Sequence, residues 1–195
     1  MNTKRERILD CARTLFAEEG FHNAQISRLA KMSGVGAGSV YLYFNNKEHI
    51  LEEIFMESWT RIEKRLSSLD EQKELSATKK IDLMVRAIID MVIEKRNSAN
   101  IILHEYRFWA VEHNERLTEV VSHSKKIVSR IIAEARGKEF RPEIDPAAAT
   151  EFIFGGIWYF LALKTAEIDE NTAKALGDQI SGMILSGLTI ERAIN

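Results

Sequence analysis

The sequence predicts an all-α fold, and three observations agree on it. Only two prolines, Pro142 and Pro146, interrupt 195 residues. Apolar residues recur at three- and four-residue spacing along most of the chain, and no stretch alternates apolar and polar residues long enough to make a convincing sheet strand. A chain of this length accommodates one domain or two small ones and can bury about 70% of its unfolded surface without a disulfide or metal. Cys11 is the single cysteine, and the charged opening Met1-Asn2-Thr3-Lys4-Arg5-Glu6-Arg7 lacks the apolar core of a signal peptide. The longest strongly apolar run, Phe152 to Leu163, has twelve residues, short of the roughly 20 that a membrane-spanning helix needs. These features predict a cytoplasmic protein with no membrane partner.

The elements follow in order. Thr3 and Glu6 form a capping-box pattern, after which Ile8, Cys11, Ala12, Leu15 and Phe16 share one helical face until Gly20 offers a stop. A second, short helix turns Ile26, Leu29 and Ala30 inward, and Ser33-Gly34 breaks it. A third runs from Gly36 or Ala37 to about Phe44, with Val40 and Phe44 as its inward pair. Asn45-Asn46 then leads into a long fourth helix, 47–66, carrying Ile50, Leu51, Ile54, Phe55, Trp59, Ile62 and Leu66 at helical spacing. The polar stretch Ser67 to Thr78 reads as a linker, and a fifth helix continues through Ile81, Met84, Val85, Ile88, Ile89 and Val92. Further helices are expected at about 99–112, 114–135, 146–166 and 172–190, for about nine in total.

Two short helices around a glycine-containing turn, supported by a helix before and a longer one after, match the helix-turn-helix geometry that lays a second helix in the major groove of DNA. The expected division is a DNA-binding domain over 1–47, the fourth helix as connector, and a second domain over 48–195. With Val40 and Phe44 pinned inward, the third helix presents Ala37, Gly38, Ser39, Tyr41 and Tyr43 outward. Hydroxyls reach phosphates or base edges, and a small methyl meets a thymine methyl. Gly38 costs about 1 kcal/mol relative to alanine inside a helix, so a close approach of the backbone to DNA would explain it. Lys47 can reach a phosphate from the start of the fourth helix. The bland alternative is equally open at this point: loosening glycines, ordinary interfacial tyrosines and a solvated lysine.

Net charge is -2, without the basic excess of a simple nucleic-acid binder. Residues 1–47 nevertheless carry +3 and residues 48–195 carry -5, so the proposed reading head is the basic end.

The run Ile26-Ser27-Arg28-Leu29-Ala30, Ser33-Gly34-Val35, Gly38-Ser39-Val40-Tyr41-Leu42-Tyr43-Phe44 and Asn46-Lys47-Glu48 resembles the DNA-binding domain of TetR-family regulators. That resemblance covers about residues 5–52 closely, the rest only in length, helix count and pattern. It implies a repressor that binds a palindromic operator as a homodimer and is released by a small hydrophobic effector. By position, Gln25, Ser27 and Arg28 would flank the groove, Ala37, Gly38 and Ser39 would approach bases or nearby backbone, and Tyr41, Tyr43 and Lys47 would hold phosphates. Gln25 stands where the family often has threonine. Gly36 stands where it often has a serine cap, and a glycine cap is only somewhat weaker.

Beyond residue 98 the sequence is less specific. From Phe152 to Leu163 the chain is apolar almost all round, which requires cover on both sides in a water-soluble protein. Gly155, Gly156, Gly177, Gly182 and Gly187 permit close helix approach, and the resemblance places the dimer interface on the last two helices. Phe152, Gly156, Tyr159, Leu163, Ile180 and Ile184 are the expected interface residues; a monomer with this helix at the centre of its own bundle is the alternative. Trp59, Met84, Met91, His104, Tyr106, Arg107, Phe108, Trp109, Phe154 and Trp158 are the expected lining of an effector cavity, with plain core packing as the competing explanation. His104, Glu105 and Arg107 are polar on an otherwise apolar stretch and need partners, either a ligand head group or an interhelical ion pair. Leu103-x-Glu105-x-Arg107 together with Tyr41-Leu42-Tyr43-Phe44 is similar to TetR-family members that respond to long-chain acyl-coenzyme A, which makes an acyl-CoA the favoured effector.

Enzymatic chemistry finds no foothold in the sequence. His22, His49, His104, His113 and His123 form neither a two-histidine zinc helix nor Glu-x-x-His pairs. Cys11 reads as a packed thiol, and no glycine-rich phosphate loop follows a strand. A helical adaptor, or a small-molecule-binding protein without an operator, remains the rival class.

Overall fold

A computed structural model describes residues 3–94, 101, 115–164 and 170–190, the side chains of 91–94, 160–164, 170, 171 and 173 excepted. These residues form eight helices: α1 (Lys4–Glu19), α2 (Ile26–Met32), α3 (Ala37–Tyr43), α4 (Lys47–Asp70), α5 (Ala77–Glu94), α6 (Glu115–Ala135), α7 (Pro146–Lys164) and α8 (Glu170–Leu188). Among the described residues the only extended pairings are isolated bridges at Arg136, Phe140 and Thr189. The chain is all-α. The helix expected at about 99–112 lies outside the described residues.

One expectation is corrected. The linker expected from Ser67 to Thr78 shrinks to residues 71–76, because α4 continues four residues further to Asp70. Leu69 is buried and extends the inward stripe of Ile62 and Leu66, while the Ser67 hydroxyl donates back to Glu63 Oε1 at 3.1 Å. The serines therefore decorate the helix instead of ending it.

Two compact units divide the described residues: 3–59 with 101 and 115–118, and 60–94 with 119–164 and 170–190. The division falls inside α4, after Trp59, later in the chain than the motif-based boundary at 47.

In the first unit the expected capping box is present. Thr3 Oγ1 accepts from the Glu6 amide at 3.2 Å, and the Thr3 amide donates to Glu6 Oε2 at 2.7 Å. Ile8, Leu15, Leu29, Val40, Phe44, Ile50, Ile54 and Phe55 form the buried centre. The side chains of Arg5 and Arg13 reach across from α1 to Glu53 and Glu57 of α4, and Arg13 also pairs with Asp10 at 2.6 Å. Arg13 is nearly fully buried, so these carboxylates supply the partners that a buried guanidinium requires.

In the second unit α5 packs mainly on α8 and also on α7. Asp82 anchors that contact: it accepts from Ser181 Oγ of α8 at 2.7 Å, from Arg86 Nε at 2.7 Å and from Lys79 Nζ at 2.8 Å, while Arg86 also bonds Asp178. Burial alone would raise the Asp82 pKa, but the hydrogen bonds from Lys79, Ser181 and Arg86 and the positive charge of Arg86 outweigh it, lowering it to about 2. The start of α5 is capped from a distance. Ser76 Oγ accepts from the Lys79 amide, and the Glu139 carboxylate accepts from the amides of Ala77 and Thr78 at 3.0 and 2.9 Å. Asp145 caps α7 through the Ala148 amide at 2.7 Å, with Pro146 in the first helical position.

Candidate nucleic-acid interface

The turn between α2 and α3 is fixed by backbone chemistry. The Val35 amide donates to Ala30 O at 3.0 Å and the Gly34 amide to Lys31 O at 3.3 Å, the paired bonds of a Schellman motif. Gly34 sits at φ 65°, where a side chain would strain the backbone. The Ser33 hydroxyl bonds Leu29 O at 2.8 Å and Ala30 O at 3.2 Å, closing the end of α2. Leaving such a turn, α3 is seven residues long with Gly36 as its N-cap.

Two residues hold α3 in place. Val40 is wholly buried, and so is Phe44, whose ring packs edge-on against His49 at 5.7 Å and lies under the Arg5 guanidinium at 5.4 Å. Ala37, Gly38, Tyr41 and Tyr43 face outward, and Ser39 is half-buried. A Cβ placed on Gly38 would meet nothing within 4 Å among the described residues, whose packing gives no reason for a glycine there. Leu42 is 82% exposed on the same helix. Sequence reasoning passed over it, although a leucine on a face otherwise built of small and hydroxyl-bearing residues was the available signal.

The flanking residues divide. Gln25 and Ser27 are exposed at the start of α2, and Arg28 is exposed while paired with Glu19. Lys47 is different: its ammonium donates to His22 O at 2.9 Å and Ala24 O at 3.2 Å and lies 4.7 Å above the Phe21 ring. It ties the segment between α1 and α2 to the start of α4, so its expected phosphate role must share the head group with this internal one. Cys11, on α1, is half-buried; burial and the neighbouring Asp10 charge push its thiol pKa up against the opposing pull of Arg7, which suits a packed, unreactive thiol.

A second outward face lies on α7 and α8. Phe152, Gly155, Gly156 and Tyr159 occupy one helical stripe of α7, with Phe152 74% and Tyr159 68% exposed. On α8 the outward register is Gln179, Gly182, Met183 and Ser186. Ile180, expected at an interface, is instead buried in its own unit, because it shares the α8 stripe of Gly177, Ser181 and Leu188 that faces inward. Ile184 is half-buried, the Leu163 side chain lies outside the described ones, and Met183, 67% exposed, was missed.

Of the expected effector lining, Trp59 is buried in the first unit, Met84 and Phe154 are buried in the second, and Trp158 there is half-buried. The Met91 side chain and His104, Tyr106, Arg107, Phe108 and Trp109 lie outside the described residues. None of the four described ones lines the groove of about 580 Å³ between α4 and α5 of the second unit, whose walls include Arg61, Lys64, Arg65 and Arg86. Among the described residues no helix is long and apolar enough to cross a membrane, and no group of three or more His, Cys, Asp or Glu residues is placed to hold a metal ion.

Comparison with known proteins agrees with this layout. The family model described as bacterial regulatory proteins, tetR family, matches residues 8–54, and that of the tetracyclin repressor-like C-terminal domain matches residues 74–160. A fatty acid metabolism regulator protein of Bacillus subtilis is 27% identical over 183 residues, 93% of this chain and 94% of the relative. The solved fatty acid degradation regulator FadR of Bacillus halodurans superposes with a TM-score of 0.77 at 27% identity, covering 93% of this chain and 98% of that one. FadR of Bacillus subtilis, solved in complex with stearoyl-CoA, gives 0.77 at 25% identity, covering 93% and 97%.

Proposed function

Because the chain belongs to the TetR family of bacterial regulatory proteins and is a transcriptional regulator, not an enzyme, we propose that it binds a palindromic operator as a homodimer and is released by a hydrophobic effector of the acyl-CoA class. The observation that carries the DNA reading is the outward face of α3: Gly38 in open space beside exposed Tyr41 and Tyr43, on a helix fixed from behind by Val40 and Phe44. A glycine with no internal purpose lets the helix backbone approach the groove, and the tyrosine hydroxyls meet the phosphates that flank it. Gln25, Ser27, Arg28, Ala37 and Ser39 complete the surface, and Lys47 serves it mainly by fixing the α1–α2 segment.

The apolar stripe of Phe152, Gly155, Gly156 and Tyr159, with Met183 of α8, supports self-association, since large aromatics surrounded by glycine are rarely left in water. A two-fold dimer places two α3 helices in major grooves one helical turn apart, about 34–36 Å. The effector class rests on likeness to the Bacillus subtilis regulator of fatty acid metabolism and to the FadR chain that holds stearoyl-CoA. Release requires that the effector favour a dimer whose reading heads no longer match that spacing. Action on DNA would place the protein in the bacterial cytoplasm.

The test is selection of duplexes from a random library at low salt, followed by titration with stearoyl-CoA. Recovery of a palindrome whose binding is lost on adding stearoyl-CoA is the expected result. Failure to enrich any duplex would refute operator binding, and an operator unaffected by stearoyl-CoA, palmitoyl-CoA or oleoyl-CoA would refute the effector class.

A further inference from the structure

We infer that the groove between α4 and α5 of the second unit is a binding site for a phosphorylated head group, and, resting on the effector reading above, that it holds the phosphate-bearing end of the acyl thioester. Two helical stripes face each other across it. From α4 come Arg61, Lys64, Arg65 and Ser68, spaced by three, four and seven residues and so on one side of the helix. From α5 come Leu83, Arg86, Ala87 and Asp90 with the same spacing, while Ile62, Leu66 and Ile88 supply apolar surface between them. At about 580 Å³ the groove has the size of a small-molecule site.

Its charge is one-sided. Arg86 is committed to Asp82 and Asp178, and Asp90 is the one carboxylate in the lining. The α4 wall presents three cations; Arg61 has an interaction of its own, while Lys64 and Arg65 are exposed and no ion pair is found for either among the described residues. Solvated lysines on an ordinary helix alternate with acids that partner them at three or four residues. Here the wall clusters cations over an apolar floor, which suits a ligand carrying several phosphate charges on an apolar stem. A free fatty acid offers a single carboxylate and would gain far less from this wall. None of these residues belongs to the aromatic set expected to surround an acyl chain, so the head-group site and the chain site separate experimentally.

The experiment measures binding of stearoyl-CoA, coenzyme A and stearate by calorimetry to the full chain, to Lys64→Gln/Arg65→Gln, and to Lys126→Gln as a control for general surface charge. Both altered positions are exposed, and unchanged thermal unfolding verifies folding. The expected result is an at least tenfold loss of stearoyl-CoA and coenzyme A affinity in the double variant only, with a smaller salt dependence, and unchanged stearate binding. Equal affinity for stearoyl-CoA in wild type and double variant overturns the head-group site while leaving the effector class intact. Coenzyme A bound by the wild type and lost in the double variant, with acyl chains adding nothing, supports the site and overturns the effector class. No binding of either CoA compound by the wild type overturns both.

Discussion

The outward face of α3 and the outward face of α7 and α8 are both rich in glycine and aromatic residues, yet they differ in what surrounds the glycine. Around Gly38 stand Ser39, Tyr41 and Tyr43, each with a hydroxyl, and the single apolar Leu42; around Gly155 and Gly156 stand Phe152 and Tyr159, with Met183 exposed on α8 and the Tyr159 phenol as the one hydroxyl. A Cβ on any of these three glycines would meet nothing within 4 Å among the described residues. On the proposed reading, glycine marks close approach in both places and its neighbours match the approaching surface: mostly hydroxyls toward charged, wet DNA, mostly apolar carbon toward a second copy of the same helix. A chain with both faces can dock two different partners without either face competing for the other's.

Breaking the apolar face should have the largest effect. Phe152→Asp introduces a charge at the middle of the expected self-contact, and a central aromatic anchor is worth about 2 kcal/mol or more. Sedimentation velocity should show the dimer weakened at least thirtyfold with the fold intact. A variant that remains dimeric would move self-association to another surface.

Asp82 tests the interior that holds that face in place. Its pKa is about 2 in the folded chain, against an unfolded value of about 3.9. A depressed carboxyl pKa adds stability that is fully present above about pH 4 and is lost as pH falls toward 2, on the order of 2 kcal/mol. Denaturant unfolding should therefore separate wild type from Asp82→Asn at pH 7 and bring them together near pH 2. A constant gap across that range would leave the carboxylate without the assigned role.

Lys47 sharpens the other side of the comparison. Removing its ammonium leaves two carbonyls short of a charged donor, so Lys47→Ala should lower stability by about 1.5 kcal/mol. If the internal role dominates, the salt dependence of operator affinity stays as in wild type; a slope reduced by about one would restore the phosphate contact.

The smallest effect is the most discriminating. Gly38→Ala meets no obstacle and should stabilise the folded chain by up to about 1 kcal/mol while weakening operator binding. Stabilisation and loss of affinity measured in one variant would separate a glycine kept for DNA from one kept for folding.

The reading head was more legible in the sequence than the second unit. Capping by Thr3 and Glu6, the break at Ser33-Gly34 and the inward pair Val40 and Phe44 are short-range signals, with their determinants within a turn of the residue concerned. The start of α5 was not legible because half its cap comes from Glu139, over sixty residues away. Nor was the outward face of α8 legible: Ile180 and Met183 are both apolar, and only packing decides that Ile180 turns inward and Met183 outward. The cations of the α4–α5 groove were hidden for a related reason. Arg61, Lys64 and Arg65 look like solvated helix surface until α5 is seen opposite them.

If paired α3 helices read DNA through their outward faces, as proposed, hydroxyl-radical footprinting of the selected duplex will show it. Two protected half-sites centred about 10 base pairs apart, both weakened by Tyr41→Phe, are predicted. A single unpaired footprint, or one indifferent to Tyr41→Phe and Gly38→Ala, would contradict it.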